Sequence, residues 1–586
     1  MGTASFFFFS QKKEKDTVDS RIKLQKKNSI YFNKLIIMRK LLFVAVSILF
    51  VTAGAAQKNK NGRADGSPKL VVGIVVDQMR NDYLYRFADK YGEGGFKRML
   101  KNGFECRNTN YNYVPTYTGP GHAAIYSGTT PYYNGIVAND WYDAKTGKMM
   151  YCTQDDAVES VGTTGEAGKM SPKNLLATTM TDELMLSNNR QSKVIGVCIK
   201  DRGSILPAGH IPTAAYWFDG DSGNWISSTY YMEQLPSWVG KFNSSQKVDA
   251  YLSKPWKTLF DIETYTVGLP NGGDYRKPFK GAKINAFPHD LPALKEQNGL
   301  GLIRSTPFGN SLTVDFAIET LRNEKMGQGK YTDFMALSLS SPDYVGHQFG
   351  INSIEVQDTY ARLDKDLERF FDYLDKTIGM ENVLIFLTAD HGAAQTPQQM
   401  MDMGIPAGVL DTDNITKNLS EKIAEKYGEG NWVSKYYNQQ FWLNQDLINS
   451  KKINQNELIE SVLPFLRSMD GVQAVYNTST ADWKASNSLT EKMLNGLSPM
   501  RSGQIAFLLQ PNWFGGSYAA KAGTTHGSNY TYDTHVPLVW MGWKIKSGST
   551  AQPFNITDIA STVCDILRIG TTNASMGTPM TDLIVK

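Results

Sequence analysis

Cysteine is scarce in this 586-residue chain. The four present, Cys106, Cys152, Cys198 and Cys564, show no CxxC or CxxxC spacing, which argues against a thiolate zinc site. In an exported chain they allow up to two disulfides, in three possible pairings. A membrane-length apolar run is also missing: residues 41–51 are apolar but fall short of the ~20 residues a spanning helix needs. There is no internal repeat and no low-complexity tract. With 41% hydrophobic and 20% charged residues, the composition excludes disorder, collagen-like sequence and a polytopic membrane protein. An excess of one charge is absent too. The formal charge is +4, but residues 1–56 carry ten Lys/Arg against three acids, or +7, so the remaining 530 carry 4 − 7 = −3. A slightly acidic body offers no footprint for nucleic acid.

What the first residues do contain is a leader. Met38-Arg39-Lys40 precedes the apolar run 41–51, and Ala53-Gly54-Ala55-Ala56 precedes Gln57. A positive start, a short apolar middle and small residues before a polar one make a secretory signal peptide, spanning 38–56. The mature chain is expected to begin near Gln57, periplasmic or secreted from a bacterium, with no membrane anchor after cleavage. Residues 1–37 read as a spurious or removed extension.

Residues 69–76 form a nearly continuous β-branched run ending at Asp77, the pattern of a strand buried on both faces. Similar runs recur at 194–199, 334–339 and 383–387, and each leads into polar residues: Lys200-Asp201-Arg202, Ser340 to Asp343, and Asp390-His391. Helical patterns alternate with them, one opening at Ser171-Pro172 and another over 354–374. The expectation is an α/β fold with a mostly parallel central sheet in a three-layer α/β/α sandwich. Ligands then bind outside the carboxyl ends of the strands. Two segments, about 216–330 and 400–510, break the alternation and read as insertions forming a cap region on a single domain over 57–586. The second carries helical patterns over 415–427 and 456–469.

The chain has seven histidines, and three stand in suggestive company. Asp343 and His347 are four residues apart, Asp390 and His391 are adjacent, and His526 lies in a glycine-flanked Gly523-Thr524-Thr525-His526-Gly527 loop. With Asp77 these make three carboxylates and three imidazoles, a donor set suited to Zn²⁺ in an open catalytic site. Six ligands exceed one tetrahedral ion, so two metals are expected. Two metals serve the attacking and leaving oxygens of an in-line displacement, which is phosphoryl-transfer chemistry. In Pro115-Thr116-Tyr117-Thr118-Gly119-Pro120-Gly121-His122, a hydroxyl precedes a sequence that can start a helix, where negative phosphate is favoured. Thr116 and Thr118 both qualify on chemistry. His122 is expected to be packed, and His210, His289 and His535 structural.

This set resembles the alkaline phosphatase superfamily, in its type I phosphodiesterase/nucleotide pyrophosphatase-like branch, and most nearly the secreted phosphate-irrepressible enzymes that use threonine. The resemblance runs from Leu70 to about Leu583. It implies Thr118 as nucleophile forming a phosphothreonine, and a first zinc on Asp343, His347 and His526. A second zinc would lie on Asp77, Asp390, His391 and Thr118, with Asn139 bonding a phosphoryl oxygen. The pattern departs from older alkaline phosphatases in having Thr for Ser and no obvious magnesium site. It implies small phosphate monoesters as substrates, with a phosphodiesterase or nucleotide pyrophosphatase as the alternative; a monomer is expected. A sulfatase would need a C/S-x-P-x-R context, which Thr118-Gly119-Pro120-Gly121 lacks. Lys200 and Arg202 follow the run 194–199, and alternation along an extended segment would set them on one side. They resemble the Lys-x-Arg that threonine-type monoesterases aim at phosphate.

Overall fold

The computed structural model describes residues 66–480, 488–516 and 520–584. The expected extension 1–37, the signal peptide 38–56 and the start at Gln57 lie outside the described residues.

Seven consecutive buried residues make β1 (Leu70–Val76) a strand with no solvent face. It pairs in parallel with β6 (Asp333–Leu339) on one side and β7 (Val383–Thr388) on the other. Beyond β6 lie β3 (Val194–Cys198) and β4 (Ala214–Asp219), also parallel, then antiparallel β5 (Asn224–Ser228). Beyond β7 come antiparallel β8 (Leu538–Gly542) and β2 (Phe104–Asn110). Among the described residues the sheet has 11 strands, parallel at its centre and mixed towards its edges, where Gly548–Asn555 runs parallel to β2. Buried, β-branched central strands are what a sheet covered by helices on both faces requires.

The longest covering helix, α5 (Ile354–Thr377), follows from its sequence. The Ser353 hydroxyl caps it by accepting Val356 N–H at 3.2 Å. Val356, Tyr360, Leu363, Leu367, Phe370 and Leu374 recur every three to four residues and are buried. Truncating any of the aliphatic ones to Ala would cost about 2–5 kcal/mol.

The region about 400–510 has a core of its own. Helices Ile415–Tyr427 and Gln455–Arg467 pack Leu419, Ile423, Leu458 and Val462 against a four-stranded antiparallel sheet carrying Phe441 and Phe507. The region beginning at about 216 is different. Its first residues belong to the main sheet as β4 and β5, and its last helix, α3 (Phe308–Glu324), packs on that sheet through Phe316 against Trp225 and Tyr216. The tryptophans that gave this segment its irregular look are sheet and helix-packing residues.

One other expectation is corrected. No helix forms at Ser171-Pro172. The Ser171 hydroxyl and Lys173 ammonium both bond Asp155, at 2.6 and 2.7 Å, which fixes a turn. The helix instead starts at Met180, where Thr179 and Asp182 form a reciprocal cap. All four cysteines are free and buried, so neither allowed disulfide is present.

Candidate active site

The carboxyl ends of β1, β6 and β7 lie side by side, and each delivers acidic residues to the same rim. β1 ends into Asp77. β7 runs into Asp390 and His391. β6 leads into α4 (Ser341–Phe349), which presents Asp343 and His347 one turn apart on one face. His526 arrives from the loop before β8. Two triads result, Asp343–His347–His526 and Asp77–Asp390–His391, each with potential ligand atoms within 4.8 Å of one another.

The three imidazoles are oriented alike. His347 Nδ1 bonds Thr524 O at 2.8 Å, His526 Nδ1 bonds Thr116 O at 2.7 Å, and His391 Nδ1 bonds Gly392 O at 2.9 Å. With Nδ1–H donated to backbone, each Nε2 lone pair is left for the centre, the arrangement of metal-ligating histidines. Nε2 of His347 and His526 lie 3.1 and 3.7 Å from Asp343 Oδ1. Nε2 of His391 lies 3.6 Å from oxygens of both Asp77 and Asp390.

The carboxylates are buried and under-satisfied. Both Asp77 oxygens and Asp390 Oδ2 accept no well-aligned hydrogen bond, although Lys200 Nζ stands 2.7 Å from Asp77 Oδ2 and 2.6 Å from Asp343 Oδ2. Burial and the neighbouring Asp77 push the Asp390 carboxyl well above its ordinary value. Burial opposes ionisation of Asp343 as well, but His347 and Lys200 hold it well below the usual range. Burial brings the His391 imidazole down to about 4, so it stands neutral and able to ligate. Orphaned buried oxygens of Asp77 and Asp390 facing the neutral His391 imidazole fit a divalent cation.

Thr118 is the first residue of α1 (Thr118–Ser127), with its Oγ1 3.5 Å from His391 Nε2. Thr116 Oγ1 instead donates to Ser528 O at 3.0 Å. The helix approaches β7 so closely that a Cβ on Gly121 would meet Asp390 O at 2.3 Å; the glycine lets Thr118 reach the second triad. Asn139 Oδ1 accepts Gly119 N–H at 2.8 Å, which sets this side chain against the same helix start.

Lys200 and Arg202 are not on an extended segment. Lys200 precedes α2 (Asp201–Ala208), and Arg202 lies in its first turn. Lys200 reaches the carboxylates, while Arg202 Nη1 donates to Tyr151 Oη at 2.9 Å, and Tyr151 donates in turn to Asp201 at 2.8 Å. His122 is packed: Nδ1 bonds Thr118 O and Nε2 bonds Ser338 Oγ, both at 2.9 Å. His210 is held by Asp182, His289 by Glu355 and His535 by Arg107 O, all away from the triads.

One residue escaped sequence reasoning. Gln78 adopts φ 64°, donates its backbone N–H to Asp390 Oδ1 at 3.1 Å and its Nε2 to Asp343 Oδ1 at 2.6 Å, and so ties the two triads together. Its position directly after Asp77 was the sole signal.

The family model described as type I phosphodiesterase / nucleotide pyrophosphatase matches residues 71–533. A Myroides odoratus protein named calcium-transporting ATPase is 50% identical over 520 residues, 88% of this chain and 95% of its own. Alkaline phosphatase PhoV of Synechococcus elongatus is 43% identical over 555 residues, 93% of this chain and 99% of its own. The crystal structure of wild-type alkaline phosphatase PafA matches with a TM-score of 0.85 at 42% identity, covering 89% of this chain and 99% of that one. A variant of PafA with a threonine, an asparagine, a lysine and an arginine replaced, in that chain order, matches at 0.84 and 41% identity over the same shares.

Proposed function

Because this chain belongs to the type I phosphodiesterase/nucleotide pyrophosphatase family, we propose that it is an alkaline phosphatase, a phosphoric monoester hydrolase, working through a phosphothreonine at Thr118. The observation that carries this reading is the convergence of two carboxylate–imidazole triads on a hydroxyl at a helix start. Asp343, His347 and His526 would hold one zinc ion, and Asp77, Asp390 and His391, with Thr118, a second. When bound, such ions supply Lewis-acid charge at the attacking and leaving oxygens. Thr118 Oγ1, giving up its proton, attacks phosphorus, and the bond to the alcohol oxygen breaks as that oxygen takes up a proton to leave as the alcohol. Water then cleaves the phosphothreonine, which returns the hydroxyl and releases phosphate.

The other side chains address the phosphoryl oxygens. Asn139 spends its carbonyl oxygen on Gly119 N–H, which leaves its amide donors for the substrate. Lys200 and the Arg202 fork bind the oxygens that a monoester leaves unesterified. The four residue types replaced in the PafA variant occur in this order here, as Thr118, Asn139, Lys200 and Arg202. The substrates are small phosphate monoesters and the enzyme works as an exported monomer, released by cleavage after Ala56. Among the described residues no helix is long and apolar enough to cross a membrane.

Metal analysis and a substrate panel on purified protein test this. Two zinc ions per chain and faster turnover of aryl and sugar monophosphates than of bis-esters are expected. Metal-free protein with full activity, or a preference for diesters, overturns it.

A further inference from the structure

A second cleft opens next to the phosphoryl-binding residues. It encloses about 460 Å³ and is walled by Gly220, Gly299, Gly301, Arg304, Ser305 and Tyr344, among others, within the size of small-molecule sites. Tyr344 is the shared wall: it directly follows Asp343, and its ring faces Lys200 Nζ at 5.0 Å. Tyr344 thus borders the cleft and stands beside Lys200.

The cleft contains a cation without a counter-charge. Arg304 is half-buried; its Nη2 donates to Phe218 O at 2.8 Å, and its guanidinium sits 5.5 Å over the Phe218 ring. It forms no ion pair among the described residues, and its Nε is buried with no partner. Asp221, the acid on the cleft wall, is exposed and outside ion-pair reach of it. A guanidinium desolvated on one side and unpaired is a fork for an incoming anion. The surrounding glycines keep it accessible: a Cβ on Gly220 would sit 2.9 Å from the guanidinium carbon, whereas Gly299 faces open space.

We propose that Arg304 anchors a second anion subsite, so that the favoured substrates are phosphate monoesters carrying a further anionic group at their far end. The inference rests on the monoesterase reading, with the ester phosphate at Thr118 and Lys200 and the far anion at Arg304. The test compares 6-phosphogluconate with sorbitol 6-phosphate, which share a six-carbon chain and differ at the far end in carboxylate against alcohol. The native enzyme should favour 6-phosphogluconate in kcat/KM. Arg304→Gln should lower that ratio by about tenfold, the size of one charge-assisted hydrogen bond, and Arg304→Lys should retain part of it. A ratio unchanged in Arg304→Gln overturns the subsite and leaves the monoesterase reading standing. Failure of the native enzyme to hydrolyse either ester overturns that reading itself. Should Arg304→Gln not fold, the native ratio measured against salt decides: it should fall towards one as screening rises, and a salt-independent ratio overturns the proposal.

Discussion

Removing Thr116 and Thr118 one at a time separates stability from chemistry. Both side chains are buried, at 0% and 1% exposure, so Thr→Ala removes the same atoms and leaves comparable voids. What differs is the hydroxyl. That of Thr116 donates at 3.0 Å to Ser528 O, two residues from His526, whose Nδ1–H in turn donates to the Thr116 carbonyl. Its loss should cost about 1–2 kcal/mol for the bond and the carbonyl left unpaired, lowering Tm by roughly 1–3 °C in a chain this large. That of Thr118 makes one long contact, 3.5 Å to His391 Nε2, and its removal should change stability by less than about 0.5 kcal/mol. Activity should show the reverse order. Thr118→Ala should lose about 10⁴-fold or more in kcat, as nucleophile deletions do, while keeping its metal; Thr116→Ala should stay within about tenfold of native. Thermal unfolding, steady-state kinetics and acid trapping of labelled phosphoenzyme measure the three quantities. An active Thr118→Ala, or label retained without Thr118, refutes the assignment.

Two further outcomes follow from the same structure. Replacing Lys200 and Arg202 together by Ala should depress monoesterase turnover strongly and any diesterase turnover little; equal losses on an aryl monoester and its bis-ester would make the pair structural. Burial raises the Asp366 carboxyl to about 6, outweighing its Arg369 partner. Because the folded value exceeds the unfolded ~3.9, the stability it contributes is fully present below about pH 4 and lost as pH rises through 6. Asp366→Asn should therefore remove roughly 2 kcal/mol of stability loss between these pH values, and denaturant titrations at pH 4 and 8 showing the same slope for both proteins would contradict it.

The central fold was legible because its strands are buried on both faces, which turns the period-two signal of an exposed sheet into unbroken runs such as 69–76. Five of the six triad residues were legible because strand ends and a helical turn bring them together through the backbone alone; His526, on a loop, was marked by its flanking glycine and threonines. What stayed hidden depends on side chains reaching across the fold. The segment 171–179 has helix-starting residues, yet Asp155 captures Ser171 and Lys173 from outside the segment. Lys200 and Arg202 looked like alternating strand residues, but α2 begins between them, and they diverge to carboxylates and to Tyr151. Gln78 could not be found, since glutamine in left-handed backbone carries no motif. Residue chemistry alone left Thr116 and Thr118 open and the resemblance singled out Thr118; that the Thr116 hydroxyl is engaged by the Ser528 carbonyl, 412 positions away, was not legible.

Charge balance links the site to its substrate class. Three carboxylates, Asp77, Asp343 and Asp390, are buried together; with the imidazoles neutral, as metal ligands must be, Lys200 is the fixed cation that pairs with two of them, Asp77 and Asp343. Arg202 adds little net charge, since Asp201 answers it through Tyr151. The protein therefore offers a site of net charge near minus two. With two divalent cations on the triads it would stand near plus two. Uncompensated charge in a buried site is expensive, so the ligand that fits best brings two negative charges, as a phosphate monoester dianion does and a diester monoanion does not. Lys200 would then have two successive roles in one place. Without metal it screens Asp77 and Asp343 from mutual repulsion; were cations to take over that task, its ammonium would be released to a phosphoryl oxygen. A fixed cation between two metal triads would thus favour a doubly charged ester without any residue reading the alcohol, and recognition of the alcohol would be left to surfaces outside the rim, of which the Arg304 cleft is one.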